Sequence, residues 1–504
     1  MDVLNMPAEE TALTRIDANA VRDPSHPAIL FGEQVLTYGE LVAASRRTAR
    51  ALMMRGVKPG DHVCLLAPNS PHYYVVYLAT LRCGATFFPI NTELSVEEVA
   101  YIIANSRPVL MLTAEALQPK VEAARATGVQ VGVDLSLETL AAEADAQPAE
   151  GPFPVRGPND VAVVIHTSGT TAQPKGVVAT DRMEVLSALA LKERWAIKPG
   201  DISVCALPLS YTFGLFSASF VALSAGATIL LFPKFNPVRV LEGIVRHRAT
   251  YMVGVPTMYA MMLEHVRQTG RRYDLASVRM MAASGAPITP QTKEDFHAAL
   301  GVRLRDYYAL SECTPIFSFD LSTEQGIPPL GSVGTLVPGA EVKIIDDHGA
   351  PAAPGVAGEL LVRSERLMPG YYEDPERTAA AFDGAWFRTR DFAYSDADGH
   401  YFIVGRDRDQ VISGGHKIAS TEVESLIARL PQVAQVAVVG APHEVLGEQV
   451  KAVIVLKPGQ QLTADDVTGF CEQHLATYKI PRQVEFRADL PISPAGKVLK
   501  RQLV

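Results

Sequence analysis

One short loop between two strand-like runs constrains the fold of this chain more than any other feature. The loop spans residues 166–176 and brings several hydroxyls, glycines and one lysine into a single turn. The apolar run 161–165 before the loop predicts a buried strand, and the β-like run 176–179 after it predicts a second strand. Because backbone amides, hydroxyls and lysine bind phosphate, we predict a strand–loop–strand unit that holds the phosphates of a nucleotide.

The loop differs from the Walker P-loop, in which a glycine-rich turn leads directly into a helix. Pro174 lies where that motif has its second glycine, and a proline has no N–H to donate to a phosphate. Gly176 replaces the hydroxyl residue that binds the metal, and a strand follows where the Walker motif requires a helix. These differences argue against a Walker NTPase. The other interpretation of the segment is a plain surface turn rich in Ser, Thr and Gly.

Length and charge bound the class of protein. A chain of 504 residues with 48% hydrophobic residues is too long for one ordinary core, so we expect two or more domains. Its net charge of -9 provides no basic field for nucleic acid or for an anionic membrane. Nucleic-acid binding is therefore disfavoured, and any cations that contact phosphates must be local.

The cysteines and the N-terminus favour a cytoplasmic location. The five cysteines are scattered and never spaced as C-x-x-C, which is typical of reduced core thiols rather than of disulfides or zinc ligands. Residues 1–10 carry acidic side chains and lack the cationic and apolar regions of a signal peptide. We therefore expect no export of the protein.

The uncharged run 202–233 is long enough to suggest a membrane span. Pro208, Gly214 and Gly226 interrupt this run. We predict instead a strand at 202–207, a buried helix at about 215–223 and a second strand at 228–232. No transmembrane segment is expected.

The order of the elements predicts an α/β fold with a large N-terminal domain. Strand-like and helix-like segments alternate up to about residue 310, which predicts two α/β subdomains with mainly parallel sheets. The stretch 141–160 lacks periodicity and is interpreted as a surface connection between these subdomains. Shorter strands with Gly, Pro and Asp turns follow Gly331 and predict a small β-rich subdomain.

Beyond Gly405 the pattern predicts a small α+β domain, in which a helix, two strands and a second helix follow one another. The charged run at 405–410 has no apolar face and is interpreted as a solvent-exposed hinge. The predicted domain boundaries are an N-terminal domain at 1–405, a hinge at 406–410 and a mobile C-terminal domain at 411–504.

Further motifs follow the loop in order along the chain. They read LPLSYTFG at 207–214, SGAP at 284–287, YALSE at 308–312, WFRTRD at 386–391, GRDRD at 405–409, GGHKI at 414–418, EVE at 422–424 and LPISPAGKV at 490–498. Together with the loop, these motifs resemble those of the adenylate-forming superfamily, which contains acyl- and aryl-CoA synthetases, nonribosomal adenylation domains and luciferases. The resemblance covers essentially the whole chain and is strongest to stand-alone acyl- or aryl-CoA synthetases.

The resemblance implies an AMP-forming acid–thiol ligase. In such enzymes a carboxylate attacks the α-phosphate of ATP, pyrophosphate leaves, and a thiol then attacks the acyl-adenylate. The implied cofactors and substrates are ATP, Mg²⁺, a small carboxylic acid, and either coenzyme A or the phosphopantetheine of a carrier protein. Two anions must meet in the first step, so cations placed in advance are expected to lower its barrier.

The resemblance also implies which residues handle the phosphates and the metal. Lys497 matches the lysine that bridges the carboxylate and the α-phosphate, and Glu312 matches the carboxylate that binds Mg²⁺. Lys175 is expected to hold the β- and γ-phosphates. The loop residues expected to act with Lys175 are Thr167, Ser168, Gly169, Thr170 and Thr171.

A second group of residues is expected around the nucleoside. Asp391 matches the acid that accepts both ribose hydroxyls, and Arg406 matches the cation near the ribose or the phosphates. Tyr308 is expected to stack on adenine, with Asp306 near its amino edge. The remaining residues that the resemblance assigns to the nucleotide site are Ser284, Gly285, Ala286 and Ser311.

The expected walls of the acyl pocket are mostly apolar or aromatic. They comprise Tyr211, Phe213, Val255, Thr257, Ala309 and Leu310. Amino-acid-activating relatives place an Asp after the 207–214 motif to bind the ammonium group, whereas the run 202–233 contains no acid. We therefore expect an uncharged aliphatic or aromatic monocarboxylate.

For the second half-reaction, the resemblance implies that the small domain rotates about the hinge. The rotation exchanges the Lys497 loop for the face that carries Gly414 and Gly415, and Arg408 occupies the hinge position. Because glycines have no Cβ, they let the backbone line a narrow pantetheine tunnel. A tight turn after a strand is the other interpretation of this glycine pair.

Four positions depart from the commonest residues of the superfamily. Ala172 and Ala309 each replace a glycine, and a positive φ at Ala172 would cost about 1 kcal/mol. Arg390 replaces the glycine before Asp391, where it could pair with that acid, stiffen the site or contact a phosphate. Tyr211 replaces a common histidine, which keeps an aromatic ring but removes a group that titrates near neutral pH.

Three alternatives to a CoA ligase stay open at this point. A stand-alone adenylating enzyme would load a separate carrier protein. A nucleotide-binding relative without catalysis is suggested by Ala172, Ala309 and Arg390. A luciferase-type oxygenase shares the adenylation step but is not favoured by any sequence feature.

Overall fold

The computed structural model describes residues 9–167, 174–286, 288–322, 328–346, 348–406, 410–413, 416–443, 446–475, 477–492 and 498–504. Its α-helices are α1 (Ala12–Arg22), α2 (Tyr38–Met54), α3 (Pro71–Arg82), α4 (Val96–Ser106), α5 (Gln118–Ala126), α6 (Leu137–Asp145), α7 (Asp181–Arg194), α8 (Val221–Ala225), α9 (Pro237–His247), α10 (Pro256–Thr269), α11 (Pro290–Leu300), α12 (Pro375–Ala381), α13 (Ser420–Ile427) and α14 (Ala464–Glu472). Short 3₁₀ turns occur at Glu115–Leu117, Thr477–Lys479 and Lys500–Gln502.

The strands are β1 (Pro27–Phe31), β2 (Gln34–Thr37), β3 (His62–Leu66), β4 (Thr86–Ile90), β5 (Leu110–Thr113), β6 (Val133–Ser136), β7 (Val161–Thr167), β8 (Lys175–Thr180), β9 (Ile202–Cys205), β10 (Thr228–Leu231), β11 (Tyr251–Gly254), β12 (Met280–Ala283), β13 (Leu304–Asp306), β14 (Phe317–Ser318), β15 (Thr335–Leu336), β16 (Ala340–Ile345), β17 (Gly358–Ser364), β18 (Phe382–Asp383), β19 (Trp386–Ser395), β20 (Tyr401–Arg406), β21 (Gln410–Ser413), β22 (His416–Ala419), β23 (Val433–His443), β24 (Gly447–Leu456) and β25 (Gln483–Arg487).

Two mainly parallel sheets form the bulk of the N-terminal domain, as the sequence predicted. One sheet has six strands in the order β6-β5-β3-β4-β7-β8, and the other has seven in the order β13-β12-β11-β9-β10-β1-β2. Each sheet ends in one antiparallel strand, β8 beside β7 and β2 beside β1. Helices connect most of the parallel strands, as in βαβ units.

The two sheets share one core. The cluster of buried side chains includes Val63 and Phe87 of the six-stranded sheet together with Ile229 and Met252 of the seven-stranded sheet. Helix α3 belongs to the same cluster, and nearly all of its residues are buried. A helix with apolar residues on every side cannot lie at the surface, so α3 packs inside the domain.

The sequence interpretation of residues 141–160 as a connection between two subdomains was wrong. Helix α6 extends to Asp145, and the strands on either side of the stretch, β6 and β7, belong to the same six-stranded sheet. The seven-stranded sheet is completed instead by the N-terminal β1, where Ile29 pairs with Ile229. A pairing between segments 200 residues apart leaves no local pattern in the sequence, which is why the boundary was misplaced.

The uncharged run 202–233 forms the predicted strand, helix and strand, with β9 as its first strand and β10 as its second. Its helical part is a π-helix at Phe213–Phe220 that leads directly into α8. A Cβ on Gly214 would lie 2.1 Å from the carbonyl oxygen of Pro208, so only glycine fits at this close approach. π-helical turns are rare and are often found at functional sites.

Two smaller β-rich units complete the chain. Strands β16, β17, β19, β18 and β20 form an antiparallel five-stranded sheet after Gly331, as predicted. The C-terminal domain has the sheet order β22-β21-β24-β23 with β25 beside β24, and α13 and α14 pack against it. The predicted fold class is therefore confirmed.

Candidate active site

The predicted loop joins the ends of the β7–β8 hairpin. Thr167 lies opposite Lys175 in the register of this hairpin, and His166 lies opposite Gly176. A Cβ on Gly176 would lie 2.9 Å from Val164 Cγ1, so a larger residue would disturb the packing at the base of the loop. The predicted loop residues Ser168, Gly169, Thr170 and Thr171, together with Ala172, lie outside the described residues.

His166 brings no charge to the base of the loop at neutral pH. Burial lowers the pKa of this imidazole to about 4. Its Nε2–H donates to Asn105 Oδ1 at 2.9 Å, which fixes the neutral ring. Lys175 is therefore the ionised group that the hairpin itself contributes beside the loop.

Lys175 and Glu312 are brought into direct contact, although 137 residues separate them. Lys175 Nζ donates to Glu312 Oε1 at 2.5 Å and to the hydroxyl of Tyr371 at 2.8 Å. The Tyr371 hydroxyl donates in turn to Glu312 Oε1 at 2.9 Å. The ammonium group also lies 4.5 Å from the centre of the Tyr371 ring. The three side chains thus form one cluster at the end of the hairpin.

The cluster keeps Glu312 ionised. Burial alone would raise the pKa of Glu312, but the Lys175 charge and the hydrogen bonds from Lys175 and Tyr371 lower it below its usual value. Burial and the nearby Glu312 charge raise the pKa of Tyr371 far above its usual value, and the positive charge of Arg390 offsets part of this rise. Tyr371 is therefore a neutral hydrogen-bond donor to a negative carboxylate.

Tyr371 is a site residue that the sequence interpretation missed. It lies in the segment before α12, where its backbone N–H donates to Thr378 Oγ1 at 2.9 Å. The neighbouring Tyr372 N–H donates to the Gly176 carbonyl at 2.8 Å, which joins this segment to the β7–β8 hairpin. The available signal was the G-Y-Y sequence just before the helix N-cap Asp374, which is typical of an ordered turn.

Asp306 forms a second lysine–carboxylate pair at the end of β13. Its Oδ2 accepts a hydrogen bond from Lys293 of α11, a lysine that the sequence interpretation did not identify. Its Oδ1 is buried and has no hydrogen-bond partner among the described residues. Burial raises the pKa of Asp306 to about 6, because Lys293 offsets the desolvation only in part. The free oxygen is suited to accept a hydrogen bond from a ligand.

Tyr308 and Asp391 are also brought together. The Tyr308 hydroxyl donates to Asp391 Oδ2. Asp391 is 3% exposed, and its backbone N–H donates to Thr389 Oγ1 at 3.0 Å within a bulge of β19. The bulge turns the Asp391 side chain towards Tyr308, so the two residues assigned to the nucleoside share one wall.

Arg390 adopts a backbone conformation that favours glycine. Its φ is +60°, in the left-handed region, which explains why glycine is common at this position. The side chain is exposed, and its charge acts on Tyr371. The three roles considered for Arg390 therefore stay predictions.

The predicted nucleotide-site residues Ser284, Gly285 and Ala286 follow β12 at the edge where the parallel strands end. Ser284 is buried, whereas Gly285 and Ala286 are exposed. Gly285 has a φ of +87°, which lets the chain turn sharply at this point. Ligands of open α/β sheets bind beyond the carboxyl ends of the strands, and this segment lies there with Asp306.

A narrow cavity of about 30 Å³ lies behind the hairpin. Its walls include Val163, Ile165, Val177, Thr212, Phe216 and Ser311. The predicted pocket residues Tyr211, Phe213 and Leu310 are chain neighbours of these walls. Val255 and Thr257 lie at the start of α10, and Ala309 packs against the same core cluster as Val255. Burial raises the pKa of Tyr211 to about 12, so its hydroxyl stays neutral.

Several predicted residues lie outside the part of the chain that the structure describes. These are Lys497, Gly414, Gly415 and Arg408. The backbone of Arg406 ends β20 opposite Asp391. The predicted roles of these residues stay predictions.

The described residues fit a magnesium–nucleotide complex. Thr167 Oγ1 and Asp306 Oδ1 are buried polar atoms without partners among the described residues, and such atoms usually receive a hydrogen bond from a ligand or water. Glu312 offers an ionised oxygen ligand of the kind that Mg²⁺ prefers. The described residues include no cluster of three or more His, Cys, Asp or Glu, so phosphate oxygens would have to complete the coordination.

Two further predictions concern the whole chain. All five cysteines are buried and free, as expected for core thiols. Among the described helices, none has the length and the apolar content that crossing a bilayer requires.

Comparison with known proteins agrees with this geometry. Residues 16–372 match the model of the AMP-binding enzyme family, and residues 422–497 match that of the AMP-binding enzyme C-terminal domain. The chain belongs to this family. The resemblance predicted from the sequence is therefore confirmed, and the chain is an AMP-forming acid–thiol ligase of the adenylate-forming type.

Relatives of known activity span nearly the full length of the chain. An indoleacetate–CoA ligase of Aromatoleum aromaticum is 33% identical over 97% of this chain and 97% of its own length. An oxalate–CoA ligase of Arabidopsis thaliana is 32% identical over 93% of each chain. The structure of o-succinylbenzoate CoA synthetase (MenE) from Bacillus subtilis with an acyl-adenylate superimposes with a TM-score of 0.86 at 29% identity, covering 99% of this chain and 98% of that one.

Proposed function

We propose that this chain activates an uncharged aliphatic or aromatic monocarboxylate as its acyl-adenylate and transfers the acyl group to coenzyme A. The observation that carries the proposal is the cluster of Lys175, Glu312 and Tyr371 at the end of the β7–β8 hairpin. It places a cation and an ionised carboxylate at the loop that the family uses for phosphates. The CoA ligases among the relatives support coenzyme A as the acceptor.

In the first half-reaction, a substrate carboxylate oxygen attacks the α-phosphorus of ATP, and the bond to the β-phosphate oxygen breaks. Lys175 would move from Glu312 to the β- and γ-phosphates and neutralise the leaving pyrophosphate. Glu312, freed of its lysine, would hold Mg²⁺, which supplies positive charge to the phosphates. We further propose that Lys497 neutralises the carboxylate and the α-phosphate as they meet, as its motif implies.

The nucleoside would be held by three of the described residues. Asp391 would accept the ribose hydroxyls, and Tyr308, which already contacts Asp391, would lie against adenine. Asp306 Oδ1, which has no partner among the described residues, would accept from the adenine amino group. The contact between Tyr308 and Asp391, and the position of Asp306 two residues before Tyr308, support these roles.

In the second half-reaction, the thiol sulfur attacks the acyl carbon, and AMP leaves with the former carboxylate oxygen. We propose that residues 406–410, with Arg408, form the hinge for this step, and that Gly414 and Gly415 line the thiol tunnel. The segment lies between β20 of the N-terminal domain and β21 of the C-terminal domain, and this position supports the proposal.

The charge of the cavity supports an uncharged acyl group. The described residues that line it include no Lys or Arg, whereas a dicarboxylate would need a counter-charge for its second carboxylate. An oxalate-like substrate is thus disfavoured, although one relative is an oxalate–CoA ligase.

The free, buried cysteines also support a location in the reducing cytoplasm.

The proposal is tested by pyrophosphate release from Mg·ATP with a panel of aliphatic and aromatic acids. Coenzyme A or a carrier protein is then added to the preformed adenylate, and the thioester is identified by mass. A thioester only on the carrier would replace coenzyme A as the acceptor, and oxygen consumption would indicate the oxygenase. Binding of ATP without pyrophosphate release for any acid would reject catalysis.

Lys497→Ala is expected to lower adenylation by about 10²- to 10³-fold, the usual loss for a preorganised charge at the transition state. The matched control is Lys457→Ala, which removes an exposed lysine of the same domain. An unchanged adenylation rate in Lys497→Ala would remove this residue from the mechanism.

A further inference from the structure

One buried carboxyl group at the narrow cavity has no role in the chemistry described above. Glu184 lies in the first turn of α7, is 5% exposed, and lines the cavity behind the hairpin. Acidic residues in a first helical turn are usually exposed, where they face the helix N-terminus and water. A carboxyl that is buried against a cavity therefore requires an explanation.

The cavity begins at the proposed site of adenylation. Side chains alternate along a strand, so Val163 and Ile165 lie on the same face of β7 as Thr167, and Val177 lies on the same face of β8 as Lys175. These three apolar residues line the cavity. Another wall residue, Ser311, directly precedes Glu312. A substrate that reacts with ATP beside the Lys175–Glu312–Tyr371 cluster would therefore extend its tail along this face.

Glu184 has one oxygen engaged and one available. The Tyr77 hydroxyl donates to Glu184 Oε2. Oε1 has no hydrogen bond to any of the described residues, and it is not among the fully enclosed polar atoms without partners. Since Glu184 is a wall of the cavity, this oxygen is the one that a molecule in the cavity can reach.

Glu184 forms no ion pair with the described residues, and the charge of Arg156 lowers its pKa only in part. Arg156, the nearest basic residue that acts on it, forms a buried ion pair with Asp181 one turn earlier on α7. Asp181 also accepts from the Ala12 backbone N–H at 2.9 Å. Burial and the Asp181 charge raise the pKa of Glu184 to about 8, so the group carries a proton at neutral pH. A neutral carboxyl that accepts from Tyr77 has its own O–H left to donate.

We propose that Glu184 is a specificity-determining residue that donates a hydrogen bond to an uncharged oxygen, a hydroxyl or a carbonyl, on the tail of the acyl substrate. This inference rests on the proposed function and deepens it by naming the substrate class. A cavity of about 30 Å³ holds one or two small groups, so it matches a single oxygen substituent. Most of its walls are apolar, and Glu184 is the acidic residue among them, as a tail with one oxygen substituent requires.

The test compares pairs of acids that differ only by one distal hydroxyl or oxo group, such as phenylpropanoate with its ring-hydroxylated analogue and a fatty acid with its oxo derivative. The readout is kcat/KM for pyrophosphate release by the full-length protein. We expect the native protein to prefer the oxygen-bearing member by at least about 10-fold. Glu184→Leu is expected to lower kcat/KM for that member by about 10- to 100-fold and to leave the apolar parent unchanged or improved.

Two variants separate recognition from folding. Glu184→Gln keeps a hydrogen-bond donor of the same size and is expected to retain the preference. Glu193→Leu makes the same change at an exposed position of the same helix and is expected to change neither substrate. An equal loss for both members of each pair in Glu184→Leu, or no preference in the native protein, would overturn the proposal.

The pH dependence of the substrate preference distinguishes recognition by Glu184 from a purely structural role, because a structural role would not change the preference with pH. The charged and titratable groups facing Glu184 are Tyr74 and Tyr77 of α3, Asp181 of α7 and Arg156 before β7. The preference for the oxygen-bearing acid should fall as the pH rises above about 8 in the native protein and stay flat in Glu184→Gln. A flat native profile contradicts the proposal, whereas absence of turnover with every acid overturns the proposed function as well.

Discussion

Two lysine–carboxylate pairs lie in the candidate active site, and they differ in a way that explains their proposed uses. Lys175–Glu312 and Lys293–Asp306 are similarly sheltered, with carboxyl side chains 10% and 13% exposed. Glu312 also accepts from the Tyr371 hydroxyl, and its pKa is lowered. Among the described residues Asp306 accepts only from Lys293, and its pKa is raised to about 6. The lysine charge is the largest stabilising influence on the carboxylate in both pairs, and the further hydrogen bonds at Glu312 add to it.

The difference predicts different chemistry at the two ends of the site. A firmly ionised Glu312 is suited to a metal and to the exchange of Lys175 with phosphates. An Asp306 with one oxygen lacking a partner among the described residues is suited to read a neutral donor such as the adenine amino group. The following variants test this difference between the two pairs, in order of decreasing expected effect.

Glu312→Gln should have the largest effect, because it removes the charge that the cluster is built to hold. We expect pyrophosphate release to fall by about 10²- to 10³-fold, since the ligand for the metal and the partner of Lys175 are lost together. Steady-state kinetics at saturating Mg²⁺ measure this. Asp306→Asn serves as the comparison within the site and should cost less; an equal or smaller loss in Glu312→Gln would show that the two pairs are equivalent.

Lys293→Met should act on ATP binding rather than on chemistry. Without the lysine, the pKa of Asp306 rises further, and its protonated form is favoured at neutral pH. We expect the KM for ATP to rise about 3- to 10-fold at neutral pH while kcat is kept. In the native protein the same rise should appear only as the pH falls below about 6.

A nucleotide analogue and an exposed lysine sharpen this prediction. Purine riboside triphosphate, which lacks the adenine amino group, should be insensitive to Lys293→Met. Lys234→Met removes an 83% exposed lysine that lies 3.5 Å from Glu93 and should change nothing. A KM for ATP that does not respond to Lys293→Met would remove Asp306 from adenine recognition.

The Asp306 pair also gives a signed stability prediction. The folded pKa of about 6 lies above the ordinary 3.8, so the folded protein binds more protons than the unfolded chain between these values. The contribution of Asp306 to the free energy of unfolding therefore falls as the pH rises through this window. The pKa of Glu312 is lowered, so its contribution has the opposite sign: it falls as the pH falls below the usual pKa of a glutamate.

Tyr371→Phe should have a moderate effect. The ring that lies against Lys175 is kept, whereas the hydroxyl that donates to Glu312 is lost. We expect kcat/KM to fall by about 2- to 10-fold, which is the usual net contribution of one intramolecular hydrogen bond. The neighbouring Tyr372→Phe is the control. A rate equal to the native one would show that Lys175 alone, without the Tyr371 hydroxyl, keeps Glu312 ionised.

Arg390→Gly should have the smallest effect, and on stability. Relief of the left-handed φ of +60° is offset in part by the greater freedom of glycine in the unfolded chain. We expect the free energy of unfolding in urea to rise by up to about 1 kcal/mol. Arg388 lies on the same strand as Arg390 and forms an ion pair with Glu359 of β17. Arg388→Gly removes this ion pair and should lower the free energy of unfolding. A loss of stability in both variants would contradict the strain at Arg390.

The sequence predicted what local patterns encode. The apolar runs around the loop predicted the β7–β8 hairpin, and the uncharged run predicted the buried strand, helix and strand that follow α7. The expected roles of Lys175 and Glu312 came from the resemblance rather than from spacing, and their direct contact was found only in the structure. Residues 141–160 were misread because α6 is short and because β1 joins its sheet through a distant partner.

The site residues that were missed depend on partners that the sequence does not reveal. Tyr371 acts on Lys175 across 196 residues, and Tyr77 reaches Glu184 across 107. Glu184 looks like an ordinary acidic residue in a first helical turn, and only the burial of α7 shows otherwise. Local sequence patterns therefore predicted the loop, while the contacts around its neighbours Lys175 and Glu184 were visible only in the fold.

The central claim is that a carboxylate attacks the α-phosphate of ATP at the Lys175–Glu312 cluster. It is tested most directly by an acid labelled with ¹⁸O in its carboxylate, converted to the thioester with Mg·ATP and coenzyme A. Adenylation predicts one labelled oxygen in AMP and none in pyrophosphate. Label in orthophosphate, with ADP as the other product, would contradict the account.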